Sequence, residues 1–157
     1  MIAMMLFAGA AEASEVATSK MFGIGVASGP NAIDFTLKYW FNEKMGISGY
    51  AGTSIVYHAV RVNFESEIVK FAEWSFAGFD MYWDAGVDVG YWFYGAPVVG
   101  VGGGVGVELK FNSVPAHVFA DVGLQVNPIN PCGGYGGYYN GLCYVSPRVA
   151  AGGRWYF

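Results

Sequence analysis

Acid–base or nucleophilic chemistry in this chain would have to start from one of two histidines, His58 or His117. His58 shares a strand face with Ser54, and Glu65 and Glu67 follow in the chain, so a nucleophile, a base and an orienting acid are close in sequence. Four residues of extended backbone separate the serine from the histidine by about 13 Å, however, which no hydrogen bond spans. His117 follows Pro115 beside a turn and has no serine in its own strand. Both read as structural histidines, and no enzymatic activity is expected. Cys132 and Cys143 enclose the segment Gly-Gly-Tyr-Gly-Gly-Tyr-Tyr-Asn-Gly-Leu, and neither histidine lies at metal-ligand spacing from them. No metal and no cofactor are expected. In an exported chain the two cysteines would form a short-loop disulfide. Tyr135, Tyr138 and Tyr139 would then offer amphipathic contact area on a pliable but tethered loop, either for an extracellular ligand or as a cap that only closes the fold.

The elements that position these residues are strands. From Val99 to Phe111, Val99, Val101, Val105, Val107, Leu109 and Phe111 fall on one face, and four glycines, Glu108 and Lys110 on the other. That is a period of two, which no helix produces. Phe22-Ile24-Val26, Phe35-Leu37-Tyr39-Phe41, Val87-Val89-Tyr91-Phe93 and Val118-Ala120-Val122-Leu124-Val126 repeat it. Successive glycines make a poor solvated face. They suit the inside of a narrow barrel, where small residues leave room for large side chains from the opposite wall. The pattern predicts eight strands, at about 20–28, 32–42, 45–63, 69–83, 86–94, 97–111, 115–127 and 144–157. The middle of the chain is the hardest to divide. It reads as two strands around a turn at Glu65-Ser66-Glu67, with a short helix over 68–74 as the alternative. Asn42-Glu43-Lys44, Asp84-Ala85 and Asn112-Ser113-Val114 are predicted to be short turns at one end, with the 64–68 tip and the 127–143 connection at the other.

The 157 residues make one domain. Apolar residues make up 54% and charged ones only 13%, too apolar for a comfortable wet surface, yet no continuous apolar run is long enough for a spanning helix. A barrel that crosses a membrane with alternating strands reconciles the two. The net charge of −4 and the scattered basic residues give no reason to expect nucleic-acid binding. Residues 1–13 read as a signal peptide, an apolar stretch followed by Ala11-Glu12-Ala13 as a cleavage site, without the usual basic start. A short N-terminal core helix is the alternative. Residues 14–19 form a spacer, and residues 20–157 the barrel.

The last strand places Val149, Ala151, Gly153, Trp155 and Phe157 on one face and Arg148, Arg154 and Tyr156 on the other. This pattern resembles the closing strand of bacterial outer-membrane barrels. With the alternating strands and the short turns, residues 20–157 resemble the small eight-stranded class that contains OmpX and the OmpA membrane domain. The resemblance implies an all-β, single eight-stranded antiparallel up-and-down transmembrane barrel in a bacterial outer membrane. It also implies an assembly signal in Trp155, Tyr156 and Phe157, and contact with outer-membrane lipid, lipopolysaccharide and the barrel-assembly machinery. It does not imply one function. Some such barrels modify lipid A, but no His-x-Ser-Asn segment of the deacylase kind is present.

The inward charges expected from this reading are Lys38, Asp80, Asp88, Glu108, Lys110, Asp121, Arg148 and Arg154, four acids and four bases that can pair inside the barrel. Arg148 should lie near Asp121, with Arg154 and Glu108 toward the periplasmic end. Trp40, Tyr50, Trp92, Phe119 and Tyr156 should help to plug the lumen, while Tyr39, Phe41, Trp155 and Phe157 girdle the periplasmic end and Tyr91 and Phe93 the outer end. The function expected is envelope integrity or surface contact through the loops. A soluble lipocalin-like barrel binding an apolar ligand would need the valine faces to point inward. A narrow diffusion pore or a lipid A-modifying enzyme are the remaining alternatives.

Overall fold

The structure, a computed structural model, describes residues 21–29, 32–53, 57–92, 97–129 and 145–157. The predicted signal peptide and spacer, Phe93, both cysteines and Tyr135, Tyr138 and Tyr139 lie outside these residues. Eight strands follow one another: β1 (Phe22–Gly29), β2 (Ala32–Trp40), β3 (Met45–Thr53), β4 (Tyr57–Glu73), β5 (Ala77–Trp92), β6 (Pro97–Phe111), β7 (Ala116–Ile129) and β8 (Val145–Tyr156). Each pairs antiparallel with the next, and β8 pairs with β1, so the sheet closes as an up-and-down barrel. The rung through Gly23, Lys38, Ser48, Asn63, Gly86, Gly102 and Gln125 reaches Ser146, whereas Gly23 itself pairs with Tyr156. The wall is therefore staggered by ten residues (156 − 146). With ordinary strand spacing this gives a tilt of about 40° and a backbone radius of roughly 8 Å, an interior that side chains can fill.

Three short turns share one end of the barrel with Phe22 and Phe157. Asn42 caps the first, its Oδ1 accepting from the backbone N–H of Lys44 and Met45 at 2.9 Å each. The second, at Trp74-Ser75-Phe76, is pinned by the third: Asn112 donates its side-chain N–H to the Trp74 carbonyl (3.1 Å) and its backbone N–H to the Phe76 carbonyl (2.9 Å).

The middle of the chain differs from the sequence expectation. Residues 45–63 are two strands, not one, and β4 runs unbroken through Glu65-Ser66-Glu67, with no helix over 68–74. The segment 64–68 is wall near the short-turn end, not a tip at the other end; the Glu67 N–H donates to the Lys44 carbonyl at 2.8 Å. Asp84-Ala85 is not a turn but the middle of β5. The two errors cancel in the strand count, because one strand too few was drawn before residue 63 and one too many after it.

The sense of the alternation is inverted relative to a soluble barrel. Val101, Val105, Val118, Val122 and Leu124 are exposed on the outside, Val122 by 55% and Leu124 by 60%. Inside, buried polar and charged residues outnumber buried apolar ones. Tyr39, Phe41, Trp155 and Phe157 are exposed at the short-turn end, and Tyr91 is exposed toward the other. Phe64 and Trp83 pack on the outer surface with centroids 5.6 Å apart.

Inward glycines do make room for large side chains, but for those on the adjacent strand rather than the opposite wall. Tyr156 pairs with Gly23, Phe119 with Gly152 and Tyr82 with Gly106. A Cβ at Gly23 would stand 2.7 Å from the Tyr156 ring, and one at Gly106 would collide with the Tyr82 ring. Gly106→Val should therefore destabilise the barrel by about 1–3 kcal/mol, since the added side chain overlaps the Tyr82 ring. Its urea midpoint, followed as the fraction of folded band on an unboiled gel, checks this. An unchanged midpoint would mean that the Tyr82 ring has somewhere else to go.

Candidate functional site: the charged interior

All eight predicted interior charges face inward. Lys38, Asp80, Asp88, Glu108, Asp121, Arg148 and Arg154 are buried, and Lys110 partly so. They form no single network but stacked layers, joined by residues that sequence reasoning had placed in turns or left aside.

The densest layer lies near the short-turn end. Lys38 on β2 extends its ammonium between two carboxylates, Glu65 on β4 (2.7 Å) and Glu108 on β6 (3.1 Å). Glu108 also accepts from Tyr156 Oη at 3.3 Å and faces His117 Nδ1 at 3.1 Å. Arg154 donates Nη2–H to Tyr50 Oη (2.7 Å) and Nε–H to Thr36 Oγ1 (3.1 Å), while its guanidinium approaches Glu65 and Glu108 at 3.9 and 4.0 Å. Ser48 donates to Glu65 through a short hydrogen bond. Two cations, Lys38 and Arg154, thus stand against two anions, and Glu65, Glu108 and Arg154 each have further polar partners, which makes buried ions tolerable. Aromatic rings fill the rest. The Arg154 guanidinium lies 3.9 Å from the Phe119 ring centre and Lys38 Nζ 3.9 Å from that of Trp40.

Below this layer, Lys110 pairs with Asp80 (2.6 Å) and Glu67 (3.2 Å) at the partly exposed mouth. Above it, Arg148 pairs with Asp84 and also acts electrostatically on Asp121, near which it was expected. Asp84 had been assigned to a turn, so its claim on the arginine went unseen. Arg61 pairs with Asp88 at 3.4 Å. With Glu65, Asp84 and Arg61 added, the interior is no longer four against four: acids exceed bases. The signal for these residues was present, since Arg61, Asn63, Glu65 and Glu67 keep one parity against Val60, Val62 and Phe64.

His117 is buried against the Tyr156 ring, with centroids 4.0 Å apart. His58 Nδ1 lies 2.6 Å from Thr53 Oγ1 on the outward face, beside Tyr91 as its cross-strand neighbour. Ser54 lies outside the described residues. Among the described residues no group of three His, Cys, Asp or Glu side chains converges to hold a metal. No protein-family model, curated protein or solved structure matches this chain.

Proposed function

We propose that this chain is an integral barrel of a bacterial outer membrane, of the small eight-stranded class its sequence resembles. Its lumen is closed by its own side chains, and it contributes to envelope integrity or surface contact at the end opposite the short turns. The observation that carries this reading is the inverted distribution of side chains: apolar strand faces and aromatic rings outward, ion pairs inward. Water on the outside would leave an apolar surface running round the whole barrel, far larger than a soluble monomer exposes. A lipocalin-like barrel needs the opposite sense, with valines lining the lumen. A diffusion pore is disfavoured by Tyr50, Phe119 and Tyr156, all buried across the lumen with Lys38 and Arg154. The implied partners are outer-membrane lipid, lipopolysaccharide and the barrel-assembly machinery, with an extracellular ligand at the loops. Lipid also supplies a function for the exposed rings at the short-turn end, because amphipathic aromatics settle at the headgroup boundary.

The test is refolding into detergent and lipid, followed by a denaturing gel with and without boiling. A faster unboiled band and no steady openings in a planar bilayer are expected. A detergent-free soluble monomer whose mobility ignores heating would overturn the membrane reading; steady conductance would overturn the closed lumen alone.

A further inference from the structure

Above the plug, the inward side chains form two similar groups. On β2, β4 and β5, Arg61 stands with Asp88 at 3.4 Å and acts electrostatically on Asp34. On β5, β7 and β8, Arg148 pairs with Asp84 and acts on Asp121. Arg61 acts on Asp121 as well, so two arginines serve four carboxylates and the two groups together carry two negative charges more than they neutralise. Asp84 and Asp121 lie two strands apart, and the β6 residues opposite them are Gly104 and Gly106, the second covered by the Tyr82 ring. The second observation is independent of the charge count. Asp121 is 5% exposed and its Oδ1 has no hydrogen-bond partner among the described residues, nor has Asp84 Oδ2. Arg61 Nε, Arg148 Nε and Tyr82 Oη lack a hydrogen-bond partner as well, so this chain's own donors do not reach these carboxylate oxygens, and a cation that brings its own N–H donors would satisfy them.

We infer that the upper lumen binds a small aliphatic ammonium ion, and that the two groups together select a linear diamine. Each surplus carboxylate supplies one charge and hydrogen-bond acceptors, which suits an –NH3+ group with three donors. A bare divalent metal needs several oxygens converging on one point, and among the described residues no such convergence exists. Access is from the side of Arg61 and Asp34, which are only partly buried. The inference does not rest on the membrane reading, because the two groups face the lumen whatever surrounds the wall.

The experiment is calorimetric titration of the refolded full barrel with 1,4-diaminobutane at low ionic strength, with n-butylamine and calcium chloride as comparisons. Saturable binding is expected, stronger for the diamine than for the monoamine and weakened about tenfold in Asp121→Asn, a near-isosteric change. Asp34→Asn should weaken it similarly and reduce the preference for the diamine. Glu67→Gln at the opposite mouth should leave it unchanged. The heat-shifted gel band reports whether each variant is folded. No saturable binding, equal loss in Glu67→Gln, or tighter binding of calcium than of the diamine would each overturn the inference.

Discussion

Replacing Glu108 by alanine should lower the stability of the folded barrel by about 3–5 kcal/mol, the cost of stranding buried charge. Glu108 is 1% exposed and holds Lys38, His117 and Tyr156 at once. Its loss leaves Lys38 and Arg154 with Glu65 as the one anion in their layer, an uncompensated positive charge between aromatic rings. The arithmetic of charge predicts the rescue. Lys38→Met combined with Glu108→Ala removes one charge of each sign, keeps Arg154 beside Glu65, and should recover at least half of the loss. Urea titration in lipid vesicles, read as the fraction of heat-shiftable band, measures both variants. A loss below about 1 kcal/mol would mean that water reaches the layer and screens it, as for an exposed pair, and the closed lumen would have to be abandoned.

That layer also explains which parts of the fold were legible in the sequence. Where inward residues are small, as in Gly100-Gly102-Gly104-Gly106 of β6, alternation stands out and the strand bounds are nearly right. Where inward residues are charged, charge is mistaken for exposure. Glu65-Ser66-Glu67 and Asp84 look like turn residues because in soluble proteins such residues sit in water. Here Glu65 receives Lys38 and Ser48, and Asp84 receives Arg148, so the polar residues are the core. The true turn between β4 and β5, Trp74-Ser75-Phe76, carries two stacked rings and none of the glycine, proline or asparagine that marks a tight turn. Its shape comes from Asn112, thirty-eight residues away, which no local pattern could reveal. The interior charges were legible by parity alone, but their partners were not. Arg148 was expected near Asp121, on which it does act, but its pairing with Asp84, from β8 to β5, was not foreseen.

A single arginine on the outer surface should separate the two solvents the barrel could face. Val122 lies at the middle of β7, flanked across the strands by Val105 and Val149, and all three are exposed. On a water-facing surface, Val122→Arg would change stability by no more than about 0.5 kcal/mol, since it meets no packing constraint. At the centre of a lipid-facing band the same change costs about 2–4 kcal/mol, because the guanidinium must thin the bilayer or draw water to it. Depth supplies the internal control. Tyr91 is equally outward and exposed but close to the end of β5, where an arginine reaches the headgroups and should cost about 0–1 kcal/mol. Unfolding free energies in vesicles should therefore rank wild type and Tyr91→Arg together, with Val122→Arg well below. Equal and negligible effects at both positions would count against lipid on this face. The exposed valines of β6, β7 and β8 would then need a protein partner to cover them. The ranking turns on depth alone, so it tests the membrane reading without depending on the interior charges, the loops or the amine site.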